Sequence, residues 1–224
     1  MINFYYCTHL LGFVVALVYV WVITPRYEIR RTSGIVLAVC SYTILYAWSL
    51  VLYWICTGTF GGQNIVRAYV FLPLILWFFS IVCDVRTDRV MDMAAPIVCL
   101  TLALAKVGCQ YAGCCESWWK VDWGIFNRWE GTRLFPVQLA EALTALGISV
   151  FLVWLSKKHE YRYGGRCMAW MLFLFGSTRV VWEFLRDNEK ILFGLSELAL
   201  WSTVMAATGA VWLLIDSRKR KRGK

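Results

Sequence analysis

The chain has 224 residues, is 60% hydrophobic and 17% charged, and carries a net charge of +9. A water-soluble domain of this length could not bury so much apolar surface, so lipid must be part of its solvent. The positive balance does not indicate nucleic acid, because the basic residues fall in short patches between apolar runs, the densest being the terminal RKRKRGK.

Seven apolar runs are long enough to suggest membrane spans, at roughly residues 5–24, 35–56, 68–84, 90–107, 137–155, 167–186 and 194–215. The expected fold is therefore all-α: one polytopic transmembrane domain over 1–224, with an outer loop at 108–136 and a basic tail at 216–224. The first run, MINFYYCTHLLGFVVALVYVW, lacks a positively charged start and a small-residue cleavage site, and reads as a retained helix. His9 lies one turn from Tyr5 on it; a lone histidine there fits a hydrogen-bonded helix residue as well as a proton carrier. The third run is short, and the fourth and sixth carry charges.

The fourth run holds Asp92 near its start and Lys106 near its end. Fourteen residues separate them, about 21 Å of helix, so they cannot share a site. Asp92 reads as a helix-start residue. Lys106 suits the carbonyl end of the helix dipole and is also a candidate site cation. AKVGCQYAGCC (105–115) follows. Its Cys-x4-Cys-Cys spacing lacks a convincing fourth metal ligand, so no metal is expected. On an outer face, a disulfide from Cys109 to Cys114 or Cys115 is chemically allowed. Gly108 and Gly113 would let backbone approach a ligand or a neighbouring helix closely. The loop beyond contains Trp118, Trp119, Trp123 and Trp129, and is expected to lie along the headgroup level.

In RLFPVQLAEAL, Pro136 suits a first helical turn, and Gln138 and Glu141 share a face at the outer end of the fifth run. Glu141 needs a cation inside the bundle, and Arg179 and Lys106 are the candidates. In GSTRVVWEFLRD, Arg179, Glu183 and Arg186 fall at i, i+4 and i+7, one helix face. Glu183 cannot neutralise both arginines. The positive charge left over is either a structural feature with Arg186 snorkelling to the surface, or a site for an anion such as phosphate, which the guanidinium fork suits.

Orientation follows from the connections. With the N-terminus outside, fifteen lysines and arginines fall in inside segments and six in outside ones. That bias favours N-outside and C-cytoplasmic, which requires an odd number of spans.

AKVGCQYAGCC, RLFPVQLAEAL and FGSTRVVWEFLRD, in this order and spacing, together with FYYCTHLLGF at the start, resemble the bacterial prolipoprotein diacylglyceryl transferase family. That family shows a Gly-Arg-x-Gly-Asn-like stretch with a Gly-Cys-Cys variant, then His-Pro-x-Gln-Leu-Tyr-Glu, then Tyr-Gly-x-x-Arg-x-x-x-Glu-Phe-x-Arg. The resemblance covers most of the chain and implies seven spans in the bacterial inner membrane. It implies transfer of a diacylglyceryl group from phosphatidylglycerol to the lipobox cysteine thiol of a secreted precursor, releasing glycerol phosphate, with no cofactor. It assigns Arg179 to the lipid phosphate, places Tyr5 near a functional tyrosine, and matches Gln138, Glu141, Glu183 and Arg186 to family motif positions. Lys106 with Arg179 would stabilise developing charge, and Gly108, Cys109 and Gly113 would line the substrate site. His9 is the substitute candidate for a base.

The departures are specific. Lys106 stands for the motif arginine, Cys109 for asparagine, Phe135 for histidine, Ala140 and Phe175 for tyrosines, and Val66 or Arg67 for a further histidine. A non-catalytic phospholipid- or lipoprotein-binding member of the same fold is the alternative expectation, and a thiol redox protein using Cys109, Cys114 and Cys115 a third.

Overall fold

The computed structural model describes residues 2–59, 65–114, 116–127, 131–186, 190–192 and 195–222. Eight α-helices are found among them: α1 (Ile2–Ile23), α2 (Arg31–Thr57), α3 (Ile65–Tyr69), α4 (Leu72–Val82), α5 (Thr87–Ala112), α6 (Val137–Lys158), α7 (Arg166–Glu183) and α8 (Glu197–Arg222). Two antiparallel hairpins join them, β1 (Lys120–Asn127) with β2 (Thr132–Leu134) and β3 (Lys190–Leu192) with β4 (Leu195–Ser196). The fold is mostly helical, as expected, and the first hairpin lies within the segment expected as a loop at 108–136, a β element that the all-α expectation did not include.

Five helical segments are long and apolar enough to cross a membrane: Phe4–Tyr27, Arg31–Thr57, Thr87–Ala112, Val137–Lys158 and Glu197–Lys219. The run expected at 68–84 is not one continuous helix. It divides at Val70–Phe71 into α3 and the 11-residue α4, with Pro73 in the first turn of α4, where a missing N–H costs no hydrogen bond. At 1.5 Å per residue, α4 alone reaches about half the thickness of a hydrocarbon core. The run at 167–186 does form a helix, α7, but Arg166, Arg179 and Glu183 lower its apolar character.

Large apolar side chains lie exposed along single stripes: Leu10, Val14 and Val18 on α1, Leu74, Phe78 and Ile81 on α4, and Leu143, Val150 and Trp154 on α6. A protein in water would not carry so much exposed apolar surface, whereas lipid tails solvate it at no cost. The core lies between α5, α6, α7 and α8, built on Val90, Cys99, Leu152, Cys167, Leu172 and Met205. There α7 and α8 approach to backbone contact. A Cβ added at Gly176 would fall 2.6 Å from the Ala206 nitrogen, so the small residue sets the helix separation.

Asp92 does not start its helix. It is fully buried in α5, and its carboxylate accepts hydrogen bonds from the backbone nitrogens of Gly165 (3.0 Å) and Cys167 (2.9 Å), capping α7 from a distance. The helix-start carboxylate is Asp88, in the first turn of α5. Asp92 also carries a second adaptation. Pro96 has no N–H to give the Asp92 carbonyl four residues earlier, and the Tyr27 hydroxyl donates to that carbonyl instead, at 3.3 Å. Asp92→Ala strands two buried N–H groups, and is expected to cost about 2–4 kcal/mol of stability in detergent thermal unfolding. Asp88→Ala, which breaks an exposed pair with Arg86, should cost no more than about 0.5 kcal/mol.

The connections sort onto two ends. At one end, Arg162 and Arg89 meet Glu28, Arg166 meets Asp216, and Arg26 donates to the Tyr161 hydroxyl at 2.8 Å. The hydrogen bond from Arg162 holds the Glu28 carboxyl below the usual carboxylate range. Its contribution is therefore present above that range and fades as pH falls, and its exposure keeps it small. The other end gathers the residues singled out by sequence.

Candidate functional site

Four elements meet at this second end: the last turns of α5, the first turns of α6, the C-terminal half of α7 and the N-cap of α8. Glu141 is the hub. Its Oε2 lies 2.7 Å from Lys106 Nζ and 2.5 Å from Arg186 Nη2, and its Oε1 lies 3.0 Å from Arg179 Nη1. The same Arg179 nitrogen lies 2.5 Å from Glu183 Oε2, and the Ser196 hydroxyl donates to Glu183 Oε1 at 2.8 Å. Arg179, Glu141, Glu183 and Arg186 are all buried.

Among the described residues, the cluster counts three cations to two carboxylates, an excess of one positive charge. Glu141 finds both cations that the sequence offered it, Arg179 and Lys106, and Arg186 as well. Arg186 does not snorkel to the surface as one expectation had it but is buried against Glu141, and Arg179 has both carboxylates on Nη1. Its Nε still has no hydrogen-bond partner among the described residues. The Lys106 side chain is 12% exposed against 1% for each arginine, which makes it the cation an incoming anion can reach first.

Gln138 is buried on α6, and its amide nitrogen donates to the Cys114 carbonyl at 2.8 Å, tying the cysteine motif to the head of α6. Gly113 takes a left-handed φ of 69° and ends α5, the backbone state that favours glycine. Gly108 faces α1 rather than open space, since an added Cβ would run into the Thr8 hydroxyl and reach within 3.5 Å of the Tyr5 Cα. Cys115, one of the partners in the expected disulfide, lies outside the described residues.

Tyr5 and His9 come together on α1, across Gly108, with ring centroids 4.3 Å apart. His9 Nδ1 lies 3.0 Å from the Tyr5 carbonyl oxygen. A carbonyl only accepts, so Nδ1 donates and Nε2 keeps the lone pair of a base.

Phe135 is packed among aromatic rings, stacked on Trp119 at 5.3 Å and on Trp182 at 6.4 Å, with Trp123 edge-on at 5.6 Å. This layer carries no proton-transfer group at that position. The loop that bears it is anchored to the end of α7: Ser117 donates to the Leu185 carbonyl at 2.7 Å, and the Trp118 indole to the Phe184 carbonyl at 2.9 Å.

Sequence reasoning missed that a further cation at this end is buried. Arg67, counted there as a loop charge, is 4% exposed and pairs with Glu197 at 2.6 Å. Its partner lies 130 residues away, and only the polar start of α8 directly after Ser196 hinted at it. An apolar crevice of about 100 Å³ lies between α1, α2, α4 and α5, lined by Leu17, Leu45, Met93 and Ile97 and reaching Thr101, five residues before Lys106.

A family model described as prolipoprotein diacylglyceryl transferase matches residues 2–215. A phosphatidylglycerol–prolipoprotein diacylglyceryl transferase of Dehalococcoides mccartyi is 24% identical over 171 residues, covering 71% of this chain and 64% of that protein. One of Methylobacillus flagellatus is 32% identical over 170 residues, covering 71% of this chain and 63% of that protein. One of Clostridium tetani is 28% identical over 108 residues, covering 46% of this chain and 43% of that protein. The chain thus spans less than two thirds of the length of these curated relatives.

Proposed function

The chain belongs to the prolipoprotein diacylglyceryl transferase family, and from that premise we propose that it transfers a diacylglyceryl group from phosphatidylglycerol to the lipobox cysteine of a secreted precursor. The observation that carries this reading is the buried cluster of Lys106, Arg179 and Arg186 around Glu141 and Glu183, one positive charge in excess. The protein would sit in the bacterial inner membrane and cross it seven times, the α3–α4 pair and α7 completing the five longer passes. The N-terminus would lie outside, the C-terminus in the cytoplasm, and the cluster near the outer surface.

In the reaction, the precursor's thiolate sulfur attacks the glyceride carbon that bears the phosphate ester oxygen. A carbon–sulfur bond forms and the carbon–oxygen bond breaks. The electron pair stays on oxygen, which leaves as glycerol phosphate. The phosphate gains negative charge as that bond breaks. Lys106, the accessible cation, and the Nε edge of Arg179 would stabilise it in a poorly solvated setting, where such contacts are strongest. The same cations favour the thiolate over a thiol whose free pKa is about 8.5. His9 Nε2, with Tyr5 beside it, would receive the thiol proton. The apolar crevice ending near Thr101 gives part of an acyl chain a place to lie.

Gln138, Gly108, Cys109 and Gly113 would shape the site by fixing the ends of α5 and α6. No cofactor takes part. The test is purified protein in alkyl maltoside micelles with phosphatidylglycerol and a lipobox peptide, read by mass spectrometry. A thioether-linked diacylglyceryl peptide and free glycerol phosphate are expected. Lipid binding that Arg179→Ala abolishes, with no turnover by wild type, would instead establish a non-catalytic binder. That reading draws on Phe135, and Val66 or Arg67, standing where the resemblance has histidines.

A further inference from the structure

We infer that Arg67 forms a second anion site, one that takes a phosphate ester on the guanidinium fork that Glu197 leaves open. The observation is a shortage of acceptors. The Arg67 side chain is 5% exposed, and its contact with Glu197 uses Nη2 alone. The other face of the guanidinium is covered by the Tyr53 ring, 5.6 Å from Cζ, which offers no in-plane acceptor. Nε and Nη1 are both buried and have no hydrogen-bond partner among the described residues. Buried donors are almost always paired, and a guanidinium is the least tolerant case because it stays charged. A guanidinium presents two forks, Nε with Nη2 and Nη1 with Nη2; Glu197 takes one hydrogen of Nη2, so one whole fork stays open to two oxygens of a phosphate.

The position supports a role beside the cluster already described. Glu197, which holds Arg67, directly follows Ser196, which holds Glu183. The α8 N-cap therefore fixes both cationic groups with neighbouring residues. Glu197 is held in turn by the Trp201 indole at 3.2 Å, so the arginine rests against a supported partner rather than a loose one. With Glu197 balancing its charge, Arg67 can stay buried before an anion arrives, and its two idle donors supply the affinity.

That the anion is a phosphate ester rests on the proposed function, while the presence of an anion site does not. The ester is either the headgroup of phosphatidylglycerol or the released glycerol phosphate. The test uses the full chain in phosphate-free alkyl maltoside micelles, comparing wild type with Arg67→Lys. Lysine keeps the ion pair with Glu197 and loses the fork, so the fold should survive. Thermal stabilisation is titrated separately with phosphatidylglycerol, glycerol phosphate and inorganic phosphate, and the KM for lipid and inhibition by glycerol phosphate are measured alongside. Arg67→Lys is expected to raise the half-saturating concentration of at least one ester about tenfold or more, with kcat near wild type.

A shift confined to the lipid marks a donor site, and one confined to glycerol phosphate marks a product site; both support the inference. Identical titrations of both proteins with all three probes overturn it. Because the stabilisation needs no turnover, an inactive wild type would count against the transferase reading alone. Should Arg67→Lys fail to fold, the R67Q/E197Q pair, which removes both charges together, takes its place with the same expected loss.

Discussion

Glu141→Gln is expected to be the most destabilising single exchange at the charged cluster. Glu141 touches Lys106, Arg179 and Arg186, all largely buried. Glutamine keeps the size but removes the charge, leaving three cations to share Glu183. Breaking a buried ion pair from one side costs about 3–5 kcal/mol, because the remaining charge loses its partner without regaining water. The expected result is a loss of that size in thermal unfolding in detergent.

A second measurement separates charge balance from lost packing. Lys106→Gln with Glu141→Gln removes one charge of each sign and restores the single positive excess. The double variant should recover part of the loss, showing a coupling of about 0.5–3 kcal/mol, as expected for groups in one network. A Glu141→Gln protein that unfolds like wild type would mean the carboxylate is not the hub its geometry indicates. Strict additivity of the two changes would mean that Lys106 and Glu141 do not share a network.

These residues were legible because ionised groups within apolar runs are costly enough to demand partners. Lys106, Glu141, Arg179, Glu183 and Arg186 stand out from hydropathy alone, and the i, i+4 spacing puts Arg179 and Glu183 on one face of α7, whereas Arg186, expected on that face too, lies three residues beyond the helix end and pairs with Ser117 in a β-bridge. Spacing could not show how many carboxylates converge on one nitrogen, so it left the surplus charge assigned to a helix face and to no one residue. Asp92 was misread for a related reason. Its partners, Gly165 and Cys167, are more than seventy residues away, and a carboxylate near a helix start looks the same whether it serves its own helix or another.

Arg67 stands one residue before the run drawn at 68–84, and its carboxylate partner is 130 residues away, so nothing local marked it as buried. The β1–β2 hairpin did leave a trace. Val121, Trp123 and Ile125 alternate with Asp122 and Gly124, the period of a strand. Four tryptophans in the same segment suggested a membrane-surface loop instead. The helices were readable because lipid exposure demands continuous apolar sequence. The hairpins and long-range caps were not, because they are set by contacts between distant segments.

Arg179→Lys is expected to leave the fold intact and remove most of the activity. Both carboxylate contacts of Arg179 use one nitrogen, Nη1, at 3.0 Å from Glu141 and 2.5 Å from Glu183. An ammonium reaching the same point can take over both ion pairs, so the unfolding midpoint should stay close to wild type. What lysine cannot replace is the rest of the guanidinium edge, including Nε, which has no partner among the described residues. If that edge meets the phosphate as its charge grows, its loss acts on the transition state.

One preorganised donor of this kind is worth about 3–4 kcal/mol, a fall in kcat of about 10²–10³-fold, with a much smaller change in KM. Lys106→Arg supplies the contrast. Lys106 makes a single point contact with Glu141 and is the more accessible cation, so an arginine there can keep the pair and add a donor. Its activity should equal or exceed wild type in the same micelle assay. Arg179→Lys within a few fold of wild type would confine Arg179 to neutralising Glu141 and Glu183, and the charge development would then fall to Lys106 alone.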